Sequence, residues 1–253
     1  MPQASLAPPT SVAVEAPSIL YRDAELAAVH KPAGLLVHRS AIAMADDYLL
    51  QRVRELLGRR VYAVHRLDRP TSGVLLFALT PDAARGLSRQ FEGHWVRKRY
   101  LAVVRGWPEA EGRIDYPLDD GGGGAPRSAI TEYRRLACTE LPVAVGRYPS
   151  SRYALLQLSP RSGRFHQIRR HLHHIHHPVI GDTTHGEGRH NRLFRERFGL
   201  RRLLLHAWSI GFEHPLDGRP MTITAPLVQD WLRLFEALDW QDALGREEIC
   251  RPS

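Results

Sequence analysis

The densest chemical signal in the sequence is His65-Arg66-Leu67-Asp68-Arg69-Pro70-Thr71-Ser72-Gly73. Asp68 stands between two arginines within a run of turn formers. Cationic neighbours favour the charged form of a carboxylate. An ionised carboxylate at a sheet edge suits a nucleophile or an electrostatic stabiliser better than a general acid. The same pattern also fits a plain turn, with Asp68 as its cap and Arg66 and Arg69 in solvent. A second cluster runs from Ser162 to His171 and combines a turn, a helix start and three arginines, Arg164, Arg169 and Arg170. Guanidinium groups so placed can hold a carboxylate or phosphates. Between the clusters, Arg97-Lys98-Arg99-Tyr100 sets basic residues beside a ring, and Arg147-Tyr148 and Arg152-Tyr153 repeat the pairing. Aromatic faces flanked by cations hold unstacked bases. A buried tyrosine with exposed arginine neighbours gives the same spelling.

His166, His171, His173, His174, His176 and His177 crowd one short window. His173 and His177 have the i, i+4 spacing of helical metal ligands, but no glutamate lies between them and Pro178 ends the helix at once. No metal site is expected there. Partial protonation in an RNA-facing groove fits the cluster better. Cys138 and Cys250 are the only cysteines, too few for a disulfide framework or a four-cysteine zinc site, which fits a reducing cytoplasm. No dinucleotide or phosphate-loop motif occurs, and the glycine run 121–124 lacks the lysine and the strand–helix context of one.

Several elements must position these residues. Ile19–Pro32 reads as two short strands turned at Asp23, and Asp47–Gly58 as a helix capped by Asp46 and stopped by Gly58. Tyr62–Leu67 reads as a strand, followed by the turn at Asp68 and an apolar strand over Val74–Leu79. Thr80 caps a helix with Pro81 at its first position. Trp95–Arg105 and Arg152–Ser159 read as strands, Asp119–Ser128 as a flexible loop, and His166–Ile175 as a helix. Leu203–His206 is a further strand, the turn Leu216–Pro220 starts a hairpin, and Leu227–Leu238 is an amphipathic helix. Strands outnumber helices and tight turns join several of them, which makes the class α+β rather than a doubly wound parallel sheet.

The 253 residues are 43% hydrophobic and 25% charged, as in soluble globular proteins. Residues 1–17 are expected to form a disordered arm, 18–245 the catalytic domain and 246–253 a tail. No run is long and apolar enough for a membrane span. The net charge is +8, a balance that favours polyanions such as RNA. With only two lysines, Lys31 and Lys98, nearly all of it is arginine, which codon usage or phosphate recognition would each produce.

Read together, the motifs resemble those of RluA-type pseudouridine synthases. His65–Gly73 is similar to the catalytic motif of that family. Lys31-Pro32-Ala33-Gly34 with Val37-His38 is similar to its early segment, Lys98–Tyr100 to its tyrosine motif, and Gly163–Arg169 to its Gly-Arg-x-His-Gln-Leu-Arg motif. Gly181-Asp182 through Gly186 and Leu205–Ala207 match later landmarks, all in family order from about Ile19 to Leu227. Ile168 stands where leucine is usual, and Phe165 where the family has a small or polar residue. The resemblance implies an α+β pseudouridine synthase fold, with a mixed, largely antiparallel sheet, flanking helices and a central cleft. It implies Asp68 as the essential carboxylate, Arg169 as its ion-pair partner and Tyr100 against the uracil, assisting removal of the C5 proton. Arg66 would fill the gap left by a flipped base, and Arg69, Arg164, His166 and Gln167 would bind substrate. The implied isomerisation changes neither redox state nor atom count, so no cofactor is expected, and the chain is expected to act as a monomer. Within the family the chain is most similar to members acting on uridine 65 of tRNA, with ribosomal RNA as the alternative substrate.

Overall fold

The computed structural model describes residues 15–38 and 47–245. Most of the expected arm, the cap Asp46, Cys250 and the expected tail lie outside the described residues. Among the described residues, ten strands form one sheet and five helices pack on it.

The first half starts with β1 (Ser18–Arg22) and β2 (Leu26–Lys31), an antiparallel pair. Asp23 Oδ1 accepts the Glu25 and Leu26 N–H groups at 2.8 Å, which fixes the turn where the sequence placed it. Helix α1 (Leu49–Leu57) begins later than expected and ends at Gly58, whose φ of 62° terminates it in the left-handed region. The strand expected over Tyr62–Leu67 shrinks to β3 (Tyr62–Ala63). Its continuation leaves the sheet because the His65 ring occupies the edge of β4 (Ser72–Ala78): Nε2 accepts the Leu76 N–H at 2.9 Å. Helix α2 (Pro81–Glu92) follows, and Thr80 Oγ1 accepts the Ala83 N–H at 3.2 Å.

The second half contains β5 (Arg97–Arg105), β6 (Glu111–Asp115), β7 (Ile130–Leu141) and β8 (Ser151–Pro160). Helix α3 (Gln167–His174) matches its expected position. Helix α4 (Gly188–Phe198) had no sequence expectation, because its arginine-rich run lacks a clear apolar period. Strand β9 (Leu205–Glu213) is far longer than the segment read from sequence, and it turns into β10 (Pro220–Thr224) by the expected hairpin. Helix α5 (Gln229–Ala237) closes the domain.

The strand order is β1-β2-β4-β9-β5-β8-β7-β6, with β3 added on β4 and β10 on β9. Every pairing is antiparallel except β4 with β9, which meet only through Ser72–His206 and Gly73–Ala207. Gly73 permits that join: a Cβ there would lie 2.2 Å from the Ala207 carbonyl oxygen, and its φ is 119°. Alternate residues of each buried strand feed opposite faces. Val29, Leu75 and Phe77 pack with α1, while Ala28, Val74 and Leu76 pack with α2. Leu101, Tyr153 and Leu155 face α4 and α5, and Ala102, Ala154 and Leu156 face α3. The sheet is thereby covered on both sides, which leaves its chemistry at the strand ends.

Candidate active site

The loop between β3 and β4, the start of β5 and the turn between β8 and α3 enclose a cleft of about 560 Å³. It brings together Arg66, Asp68, Tyr100, Arg164, His166 and Arg169 from distant parts of the chain. The Asp68 side chain is 23% exposed, and its Oδ2 accepts from Arg169 Nη1 at 3.3 Å.

Arg169 is more firmly tied elsewhere. Its Nε and Nη2 donate to the two oxygens of Asp182 at 2.7 and 2.8 Å, in a pair almost closed to solvent. Asp182 also accepts the Thr184 and His185 N–H groups at 2.9 Å. Burial pushes the Asp182 carboxyl up, but the Arg169 bonds and these two N–H groups bring it below its ordinary value. The expected Asp68–Arg169 pair is thus one side of a three-member chain in which Asp182 aims the guanidinium. In the sequence Asp182 stands only as a landmark within Gly181–Gly186. Its short Gly-Asp context carries no sign of which arginine it holds.

Tyr100 projects from β5 beneath the cleft, where burial and the Asp68 charge push its phenol up. Lys98 lines the same wall, and its Nζ donates to the Ser162 carbonyl at 3.1 Å. Burial brings Lys98 down to about 8. Arg66 points from the loop into the cleft mouth, exposed and without an ion-pair partner among the described residues.

His166 caps α3 with a φ of 51°, a left-handed conformation that costs a non-glycine residue about 1–3 kcal/mol. Its ring stacks on Phe165 at 3.8 Å between centroids, and Nδ1 lies 3.0 Å from His185 Nε2. Nε2 is 3.9 Å from Asp68. Burial lowers its pKa while the Asp68 charge opposes the shift. Phe165, 43% exposed, extends the cleft wall as an open ring.

Two expected substrate contacts are placed otherwise. Arg69 turns out of the cleft and donates from Nε to the Gly34 carbonyl at 2.9 Å, so it ties the loop to the segment after β2. Gln167 is buried and fully engaged. Its Oε1 accepts from Ser162 Oγ and Arg164 N–H, and its Nε2 donates to Ile130 O and Thr131 Oγ1, at 2.7–3.0 Å. With no free donor or acceptor at its amide, Gln167 braces the turn that carries Arg164 and His166. Lys31 does the same for the loop: Nζ donates to the carbonyls of Pro32, Leu35 and Arg69 at 2.9, 2.8 and 3.1 Å. Its role is invisible in sequence, because a lysine side chain completely removed from water is the exception.

The histidine window does not gather. His171 is fixed between Thr131 Oγ1 and the Tyr116 carbonyl, His177 bonds the Arg105 carbonyl, and His174 stacks on Tyr116. Burial lowers both His171 and His177, which opposes the expected partial protonation. No group of three candidate metal ligands occurs among the described residues.

Comparison with known proteins agrees with the geometry. The RNA pseudouridylate synthase family model matches residues 25–174. A Pectobacterium carotovorum protein named tRNA pseudouridine synthase C is 48% identical over 241 residues, covering 91% of this chain and 64% of that protein. The chain thus spans somewhat less than two thirds of that relative. A Vibrio cholerae protein of the same name is 45% identical over 237 residues, covering 89% of this chain and 97% of that one. Among solved structures, human RNA pseudouridylate synthase domain containing 4 superposes with a TM-score of 0.67 at 26% identity, covering 87% of this chain and 92% of that one. The motifs, the sheet and the relatives coincide on one assignment: the chain belongs to the RluA-type RNA pseudouridylate synthase family.

Proposed function

We propose that this chain isomerises uridine to pseudouridine in tRNA, at the position 65 implied by its sequence resemblance. The observation that carries the reading is a partly shielded carboxylate, Asp68, facing open cleft on one side and bonded to a locked arginine on the other. Two curated relatives, from Pectobacterium carotovorum and Vibrio cholerae, are named for tRNA, which favours it over ribosomal RNA.

In the reaction the N1–C1′ bond breaks, the uracil turns and a C5–C1′ bond forms. The C5 proton is lost and N1 gains one, so atoms and oxidation state balance without a cofactor. Asp68 acts at the ribose, as a nucleophile on C1′ or as a base in a glycal route. Arg169, pinned by Asp182, orients the Asp68 oxygen it touches. Tyr100 enters as a neutral phenol, since its pKa is raised. It lies against the uracil as a face and a hydrogen-bond partner. Arg66 is free to enter the helix and occupy the space of the flipped base, a flip that costs a few kcal/mol. Its flat guanidinium can stack there. Arg164 and His166 form the rim that meets substrate.

The polyanionic substrate accounts for the net charge of +8. No helix among the described residues is long and apolar enough to cross a membrane, and the reading places the enzyme with tRNA in the cytoplasm. The test is tritium release from C5-labelled uridine in tRNA and ribosomal RNA, with pseudouridine mapping in a deletion strain. Loss of a ribosomal site with tRNA unchanged would overturn the substrate assignment.

A further inference from the structure

At the far end of β5 and β8, a second cleft of about 770 Å³ opens between the β7–β8 turn and the start of α4. It lies away from the chemistry: Tyr100 and Arg105 are five residues apart on β5, about 17 Å at ~3.3 Å per residue. The volume falls within the range of about 300–1,000 Å³ seen for ligand-holding clefts. Its walls pair cations with rings. Arg152 lies over Trp107 at 4.4 Å, and Arg147 over Tyr148 at 5.0 Å. Trp107 is held by its Nε1 bond to the Thr139 carbonyl at 3.0 Å, yet it is 37% exposed, and Tyr148 is 57% exposed. Water-facing rings of this size are characteristic of binding surfaces rather than of a core.

The charge is not neutralised. Arg105 pairs with Glu187 and Arg152 with Glu140, but Arg147 and Arg189 have no carboxylate partner among the described residues and both face the cleft. Guanidinium groups without a carboxylate partner attract phosphates, and rings beside them stack bases; Arg147 Nη2 also donates to the Tyr148 hydroxyl at 2.8 Å. The catalytic cleft uses none of these residues.

We propose that this second cleft binds the substrate RNA at a point remote from the target uridine, with Arg147 and Arg189 on phosphates and Tyr148 stacked on an unpaired base. The proposal rests on the reading of tRNA as substrate. It gives the enzyme a second point of attachment on a folded RNA, which a short RNA carrying only the target arm cannot reach.

The test uses the full chain, an unmodified tRNA transcript and a short stem–loop containing only the target arm. The variants are Tyr148→Ala and the double variant Arg147→Ala/Arg189→Ala, all at exposed positions. On the transcript, Tyr148→Ala should weaken binding by about 5- to 150-fold, the worth of one stacked base. The double variant should reduce the slope of log affinity against log salt by about 2. Both losses should appear in KM rather than kcat, and both variants should match wild type on the stem–loop. Unchanged affinity and slope for the transcript would overturn the second site, as would an equal loss on the stem–loop. Wild-type inactivity on the transcript would instead strike the tRNA reading, and this site with it.

Discussion

The guanidinium of Arg169 makes three directed bonds, two to Asp182 and one to Asp68. Arg169→Lys keeps the positive charge but offers a single nitrogen, which cannot span both carboxylates with that geometry. The ammonium is expected to stay with Asp182, the nearer and more enclosed partner, and to release Asp68. A hydrogen bond between charged groups is worth about 1.5–3 kcal/mol. If that bond serves only to orient Asp68 at the ribose, its loss lowers kcat by about 10- to 150-fold. Stability should fall by about 1–3 kcal/mol, for one of the two Asp182 bonds. That leaves the protein folded, since domains of this kind hold about 5–15 kcal/mol. Single-turnover tritium release at saturating RNA measures the first quantity, and urea unfolding the second. A kcat within about twofold of wild type, or a loss confined to KM, would refute the positioning role of Arg169.

Four other outcomes follow from the structure. Asp68→Asn should abolish tritium release while leaving RNA affinity and the urea midpoint unchanged, and activity within a few-fold of wild type would remove Asp68 from the chemistry. Arg66→Ala should be impaired mainly on folded tRNA and recover on a variant whose target uridine is mismatched, because the few kcal/mol of the flip are then already spent; an equal defect on both would assign Arg66 to the fold. Lys31→Met should destabilise by at least ~2 kcal/mol, since three carbonyls lose their donor, and should lower kcat through the loosened Asp68 loop; wild-type stability in urea would contradict this. Acid should unfold the protein early: burial brings His30 down to about 4 and His65 and His206 to about 3. An unfolded chain therefore takes up protons that the fold refuses, so stability falls as pH drops below 6.5, by roughly 4 kcal/mol per pH unit for three such groups. Urea midpoints that stay flat from pH 7 to pH 5 would show that these rings are not buried neutral.

The sequence made the catalytic cluster legible because its residues are local: Arg66, Asp68, His166 and Arg169 sit in two short runs whose turn and helix signals also position them. What it hid was pairwise. Asp182 and Lys31 look like ordinary members of a turn and a strand, and only the fold shows which charges and carbonyls they face. Gln167 and Arg69 were legible as polar groups near the cleft, but neighbours decide their use: hydrogen-bond saturation commits the Gln167 amide to its turn, and one Nε bond to Gly34 ties the exposed Arg69 to the segment after β2. Two of the misread elements, β9 and α4, share one cause, a pattern that burial overrides. Strand β9 carries His206, Trp208 and Ser209 in its buried stretch, which breaks any alternation. Helix α4 buries only His190 and Phe194, too narrow a stripe for a period to stand out. Tyr153, read beside Arg152 as a base-holding pair, is wholly buried and bonded to His190. The neighbouring ring that does meet the arginine is Trp107.

The two-rung join between β4 and β9 has a kinetic meaning. Ser72 and His206 meet across 134 residues, and Asp68 and Arg169 across 101. Hairpins such as β1–β2 and β9–β10 close over short loops, but this seam closes only when nearly the whole chain has been made and arranged. Distant pairings form late because loop closure must precede their reward. The carboxylate and the arginine lie on opposite sides of that seam, so the catalytic pair forms only once distant parts of the sheet have joined. In refolding, enzymatic activity would return after circular dichroism has recovered, and the lag would time the closing of a single pair of strands.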